Sequence, residues 1–250
     1  MDSAGVGIIG LGMGWSQLQA FRDNPLTRVV GICDTDEARL RDVAEQVHPD
    51  VATVDYRDLM ARDDISIICV ASPDPRHREH SVAALEAGKH VFCEKPLALD
   101  YADCEAIVRA ADRAPGVFMI GQVCRFAPGF VAAKRLIEQG AIGDLFLVES
   151  EYAHDYTHVG GTGGWRKDPK RHPVIGGGCH AVDLLRWMAG NAHEVCAFAN
   201  HKVLTDWPVD DCTVAILRFG NDIIGRAMVS IGCKRDYTMR SCFYGTKGTI

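Results

Sequence analysis

Three short stretches combine residue types whose spacing could support chemistry. The first, "GIIGLGMGW", ends an apolar run on Gly10, continues with Gly12, and opens a helical pattern near Trp15. Glycines at those two positions permit a tight turn and let backbone N–H groups approach a pyrophosphate at a helix N-terminus. The third position of a GxGxxG fingerprint asks for Gly or Ala at residue 15, where this chain has Trp15, and an extra glycine, Gly14, stands one place earlier. An ordinary glycine turn would account for Gly10 and Gly12 taken alone. Asp34 adds weight, because it ends the second apolar run 24 residues after Gly10. A carboxylate at about that offset, roughly 20 residues, accepts hydrogen bonds from the adenosine ribose hydroxyls. It would also repel a 2′-phosphate, so the expected cofactor is NAD in preference to NADP. The competing reading makes Asp34 a helix cap in "DTDEA", a role that Thr35 or Asp36 could fill.

In the second stretch, "EKPLALD" (residues 94–100), Lys95 stands between Glu94 and Pro96 directly after the apolar run "HVFC". A solvated turn explains an isolated Lys-Pro, and a surface ion pair explains Glu94 beside it. The third, "IGGGCHAVDLLRW", sets His180 and Asp183 three residues apart at the start of an amphipathic helix, on one face. An imidazole near a helix N-terminus tends toward a lowered pKa, which suits a general base. A capped helix with a core-facing histidine is the plainer alternative. The "HDYTH" segment spaces His154 and His158 four apart, but it reads as a strand end entering a glycine-rich loop. No metal site is expected.

These stretches need a scaffold, and the chain suggests one. Over the first 140 residues, apolar runs alternate with helical patterns: "GVGIIG" with "WSQLQAFRDN", "RVVGICD" with "DEARLRDVAEQV", "ISIICVAS" with "PRHREHSVAALEAG", "KHVFCE" with "YADCEAIVRAADRA", and "VFMIGQVC" with "GFVAAKRLIEQG". Strands that are apolar throughout are covered on both faces, and intervening helices imply a parallel, doubly wound sheet. After Gly143 come spaced strand candidates, "DLFLVESEYAH", "HEVCAFANHKV", "DCTVAILRFG", "DIIGRAMVSIGC" and "MRSCFYGT", with one helix at "HAVDLLRWMAG". The expected organisation is an α/β dinucleotide-binding domain over 1–122 and an α+β domain over 123–250 with a mostly antiparallel sheet. The sequence stops inside a strand-like run, so the second domain is expected to be C-terminally incomplete.

Composition narrows the class. The 250 residues are 47% hydrophobic and carry a net charge of −6 with interspersed charges, which favours a small-molecule ligand over nucleic acid. Ten cysteines without a CxxC read as reduced thiols in a cytoplasmic protein. No apolar run approaches a bilayer span.

Taken together, the glycine fingerprint, Ser72-Pro-x-x-x-His77, Glu94-Lys95-Pro96, "QVCRFAPGFVAAKRLIEQGAIGDL", the glycine run before "HAVDLLRW" and the closing "YGTKGT" resemble the glucose–fructose oxidoreductase / inositol dehydrogenase / MocA family of NAD(P)-dependent oxidoreductases. The resemblance covers nearly the whole chain. It implies hydride transfer between nicotinamide and a secondary hydroxyl of a sugar, polyol or cyclitol. Lys95 would then orient the reacting oxygen at the cofactor–substrate boundary, His180 would serve as acid–base, and Asp183 would hold His180 or line the pocket. Gly10, Gly12, Met13, Gly14, Asp34, Ser72, His77, Glu94, Trp165 and Arg166 would form the cofactor side. Lys95, Arg125, His154 and Asp183 would contact substrate. One departure stands out. Many relatives carry an aspartate four residues before the histidine, where this chain has Gly176; either the chain works without that carboxylate, or the loop is shortened and another polar residue serves, with His154, Asp155, His158 and His172 as nearby candidates. Homo-oligomerisation through the C-terminal sheet is also expected. Two other classes stay open: a non-catalytic NAD(H)-binding sensor or subunit, and a lyase or hydrolase that uses tightly bound NAD transiently.

Overall fold

A computed structural model describes residues 3–158 and 164–250. By contact density the chain separates into two units, Met1–Gly121 and Gln122–Ile250.

In the first unit, the alternation of apolar runs and helices becomes β1 (Ala4–Ile9), α1 (Gly14–Asp23), β2 (Thr27–Cys33), α2 (Glu37–Val47), β3 (Val51–Thr53), α3 (Arg57–Met60), β4 (Ile67–Val70), α4 (His77–Glu86), β5 (His90–Cys93), α5 (Tyr101–Arg113) and β6 (Phe118–Ile120). The strands form one sheet in the order β3-β2-β1-β4-β5-β6, and every pairing is parallel. Successive side chains on a strand point to opposite faces, and here both faces are covered. Ile8 and Cys69 pack into one apolar cluster with Leu18, while Ile9 and Ile68 pack into another with Leu59 and Leu85. That two-sided burial is why the strands read as continuous hydrophobic runs. Cys33, Cys69 and Cys93 sit within these clusters as small apolar side chains. Burial pushes the Cys33 thiol up to about 12, with Asp34 and two further aspartates adding to the effect, so it is not a thiolate at neutral pH. The order reverses between β1 and β4, and ligands of such sheets bind outside the carboxyl ends of the strands at that reversal.

The second unit contains α6 (Pro128–Glu138), β7 (Leu145–Ala153), α7 (Pro173–Gly176), α8 (Cys179–Ala189), β8 (Ala192–Asn200), β9 (Cys212–Phe219), β10 (Ile224–Ser230), β11 (Thr238–Gly245) and β12 (Gly248–Thr249). Its sheet runs β12-β11-β7-β10-β9-β8. Pairing is antiparallel except for β7 with β10, which is parallel. Helix α8 covers one face through Leu185 and Met188, which pack with Val148, Ala227 and Phe243. All nine residues of β8 are exposed, Phe198 at 81%. Among the described residues, no helix is long and apolar enough to cross a membrane.

Candidate functional site

The glycine turn lies at the carboxyl end of β1. Gly10 has φ +90°, in the region that favours glycine, and a Cβ there would sit 2.6 Å from the backbone of Ala71 and Ser72. Gly14 opens α1, and its Cβ would come within 3.0 Å of the Ala71 side chain. The close helix–strand approach required of the third fingerprint glycine is thus met at Gly14, leaving Trp15 free to pack on the core. Gly12 is different. A Cβ on Gly12 would meet nothing within 4 Å, so open space lies over the backbone at the amino end of a ten-residue helix. That space is the cradle a pyrophosphate requires. Met13, exposed, flanks it.

Asp34 follows β2 and is buried. Its Oδ2 accepts a hydrogen bond from Leu11 N–H at 2.8 Å and one from the Arg39 guanidinium at 3.1 Å; its Oδ1 accepts from Asp36 N–H at 2.9 Å. The carboxylate is therefore tied to the glycine turn. The capping of α2 falls to Asp36, which accepts from Ala38 N–H and Arg39 N–H. Hydrogen bonds to Arg39 N–H and Ala38 N–H and the Arg39 charge hold the Asp36 carboxyl below its usual range, with burial working against them. Of the three candidates in "DTDEA", Asp36 is the cap, and Asp34 keeps a position beside the turn. The residues present fit a dinucleotide.

At the neighbouring strand ends, Ser72 follows β4, and Glu94 and Lys95 follow β5. The Lys95–Pro96 peptide is cis, and Lys95 is half-buried. Glu94 accepts a hydrogen bond from Gln17 of α1 and another from Lys95 N–H at 3.2 Å, which anchors the start of the loop to the helix above the cradle. The Ser72 hydroxyl meets His80 Nδ1 at 2.9 Å. Burial pushes His80 down to about 4, so it is neutral. His77, expected on the cofactor side, is completely enclosed, with its ring nitrogens 2.7 Å from the Pro96 carbonyl oxygen and 2.9 Å from that of Ser72. Its contacts are with the loop backbone.

In the second unit, His180 is the second residue of α8 and is buried. The three glycines before it are each dictated by a neighbour. A Cβ at Gly176 would strike the Arg171 guanidinium, at Gly177 the Tyr152 ring, and at Gly178 Val229 and the Val174 backbone. Where the resemblance calls for an aspartate, this chain therefore has a buried guanidinium: Arg171 is 3% exposed, and it lies 5.0 Å from the Trp165 ring centroid. Arg166 stacks on the same ring at 4.7 Å. Asp183, one turn after His180, is gripped by Arg125, which lies in a short 3-10 turn, Val123–Phe126.

His154 lies among aromatic rings, 5.0 Å from Tyr156 and 5.2 Å from Tyr237, with Tyr152 at 6.5 Å. Burial lowers its pKa. The Tyr152 and Tyr156 hydroxyls are 2.8 Å apart, and burial followed by the Tyr156 neighbour pushes the Tyr152 phenol up. These tyrosines and Arg171 were not among the expected site residues. The signal was present in "EYAHDY", where aromatic rings at 152, 154 and 156 recur every second residue, the period that places side chains on one face. Among the described residues, no group of three or more His, Cys, Asp or Glu side chains is arranged to hold a metal ion.

Comparison with known proteins places the chain in a family. Residues 4–122 match the model of an oxidoreductase family with an NAD-binding Rossmann fold, and residues 130–250 match a GFO/IDH/MocA C-terminal domain. A 2,7-anhydro-N-acetylneuraminate hydratase of Mediterraneibacter gnavus is 31% identical over 78% of this chain, which spans 51% of that protein's length. Inositol 2-dehydrogenase 1 of Saccharopolyspora erythraea is 29% identical over 98% of the chain and 72% of its own. Levoglucosan dehydrogenase solved with NADH and L-sorbose superposes with a TM-score of 0.89 at 25% identity, covering 100% of this chain and 72% of the other. With both halves matched in order, the chain belongs to the GFO/IDH/MocA family of oxidoreductases, its first half being the NAD-binding Rossmann fold.

Proposed function

We propose that the protein is an NAD-dependent dehydrogenase acting on a secondary hydroxyl of a sugar, polyol or cyclitol. The observation that carries this reading is the open cradle over Gly12, bordered by Asp34 and by the Lys95 loop within the same unit. The Gly10–Gly14 turn and Asp34 hold the dinucleotide, which when bound supplies the hydride acceptor. Lys95 orients the hydroxyl oxygen and favours its developing negative charge. His180 takes the hydroxyl proton. Trp165 and Arg166 belong to the cofactor side, His154 and the tyrosines around it line the substrate side, and the Arg125–Asp183 pair braces the face of α8 that bears His180. The dehydrogenase named for inositol and the one solved with NADH and L-sorbose support a polyhydroxylated substrate.

A transient-redox reaction, in which hydride is returned before product leaves, is the second reading, favoured by the relative named a hydratase. The deciding experiment follows absorbance at the reduced-nicotinamide band across a panel of sugars, cyclitols and sugar phosphates with NAD. Accumulating NADH supports the dehydrogenase. Substrate consumption without NADH supports the second reading, and NAD binding without consumption of any substrate leaves a sensor.

The protein is further proposed to be a cytoplasmic homo-oligomer, with the first unit as the dinucleotide-binding domain (1–122) and the second as the substrate and oligomerisation domain (123–250). Among the described residues the cysteines are thiols rather than disulfides, as a reducing compartment would keep them. The exposed apolar side chains of Val195, Phe198 and Ile216 on β8 and β9 support association through that sheet.

A further inference from the structure

The surroundings of His77 determine its charge. The side chain is wholly enclosed, and each ring nitrogen lies at hydrogen-bond distance from a backbone carbonyl: Nδ1 2.7 Å from Pro96 and Nε2 2.9 Å from Ser72. A carbonyl oxygen can only accept. A neutral imidazole carries one N–H and one bare lone pair, in either tautomer. One of the two contacts would then set lone pair against lone pair within a fully enclosed side-chain environment. Only the imidazolium donates at both ends. We propose that His77 is a buried imidazolium at neutral pH and the positioning residue that holds the Lys95-bearing loop against the carboxyl end of β4.

The groups facing the ring fit this assignment. Asp74 lies in the turn before α4, Cys93 ends β5, and His80 stands one helical turn further along α4; Arg76 and Glu79 act on His80 in turn. Burial works against the charge on His77, but hydrogen bonding by Cys93, the Asp74 carboxylate and the Pro96 carbonyl outweigh it and push the pKa up to about 9. The nearest other imidazole adds no repulsion, because His80 is held neutral.

The consequence concerns two strand ends. Ser72 is held at its carbonyl by His77 and at its hydroxyl by His80. Pro96, next to Lys95, is held by the other side of the His77 ring. The cation thus cross-links the loops that follow β4 and β5 through charge-assisted hydrogen bonds, which are about twice as strong as neutral ones. That His77 is charged stands on geometry alone, whereas its effect on turnover rests on the function proposed above for Lys95.

The test has two arms. In a 15N-labelled chain at pH 7, long-range proton–nitrogen spectra, assigned through nuclear Overhauser contacts to Pro96 and Ser72, should show both His77 ring nitrogens protonated. The ring should titrate only above pH 8. A neutral-tautomer pattern at pH 7 overturns the proposal, and no variant is needed to see it. In the second arm, His77→Gln should bind NAD within about threefold of the parent while losing about 10- to 100-fold in kcat through misplacement of Lys95. Lys95→Ala should leave the His77 spectrum unchanged. If His77→Gln turns over at the parental rate, the positioning role is overturned. If the parent oxidises no substrate, the proposed activity fails while the imidazolium spectrum still stands or falls by itself.

Discussion

Arg125 and Asp183 form a two-pronged ion pair, with two guanidinium nitrogens each 2.7 Å from a different carboxylate oxygen. In sequence, Asp183 reads as a partner for His180 three residues away. In the structure its carboxylate is turned toward Arg125, whose guanidinium also lies 5.7 Å from the Trp187 ring. The geometry matches a fork-shaped donor that lysine cannot reproduce. Asp183→Asn and Arg125→Lys should each lower the stability of the second unit by about 1–2 kcal/mol, less than a buried pair because the arginine is partly exposed. The double variant should cost little more than either single one. Urea unfolding of the four proteins measures the coupling, and additive costs would show that the pair contributes nothing as a unit.

Asp34 should set cofactor choice. Replacing it with Asn removes the charge that repels a 2′-phosphate and releases Arg39, which is shared between Asp34 and Asp36. Asp34→Asn should weaken NAD about tenfold and tighten NADP, as read by binding titration. An unchanged ratio of the two affinities would remove Asp34 from the site.

Two glycines of one turn should respond differently to a side chain. Gly12→Val projects into open space, so the variant should fold with parental stability and lose NAD binding. Gly10→Ala places its Cβ 2.6 Å from the Ala71 backbone at φ +90°, so it should cost at least about 1–2 kcal/mol. A Gly12→Val protein that still binds NAD at parental affinity would refute the cradle.

Lys95→Ala and His180→Ala should both retain NAD and lose most turnover. Only His180→Ala should also remove an acid–base limb from the pH–rate profile. Titrations paired with stopped-flow hydride transfer separate the two effects, and turnover surviving both substitutions would favour a sensor.

How much of this was legible depended on whether the causes were local. The doubly wound sheet was readable because two-sided burial leaves a continuous apolar run on each strand, and Asp34 because it follows one such run. Gly14 in place of residue 15 was visible as an irregularity, but its meaning needed the Ala71 methyl, 57 positions further along the chain. Gly176 likewise looked like a missing carboxylate until Arg171 was found pressed against it. His77 and His80 share a helix and a residue type, and nothing in the local sequence says which is charged. That depends on whether each ring meets carbonyl oxygens or a hydroxyl, and the answer comes from residues 72 and 96.

Those two histidines should give the first unit a stability maximum in mildly acidic to neutral solution. His77 is raised from the ordinary value of about 6.5 to about 9. Its contribution is complete below pH 6.5 and is lost as pH rises through 9, because the folded state then surrenders a proton that the unfolded chain has already given up. His80 is lowered to about 4. Its contribution is complete above pH 6.5 and falls as pH drops toward 4, where the unfolded chain takes a proton that the folded ring refuses, a loss of up to about 3 kcal/mol. Hydrogen exchange of β1 and β4 amides across pH 4–9, corrected for intrinsic rates, reads this unit by itself. His80→Asn should flatten the acidic limb and leave the alkaline one. A variant with an unaltered acidic limb would show that the loss of stability there comes from carboxylates and not from His80.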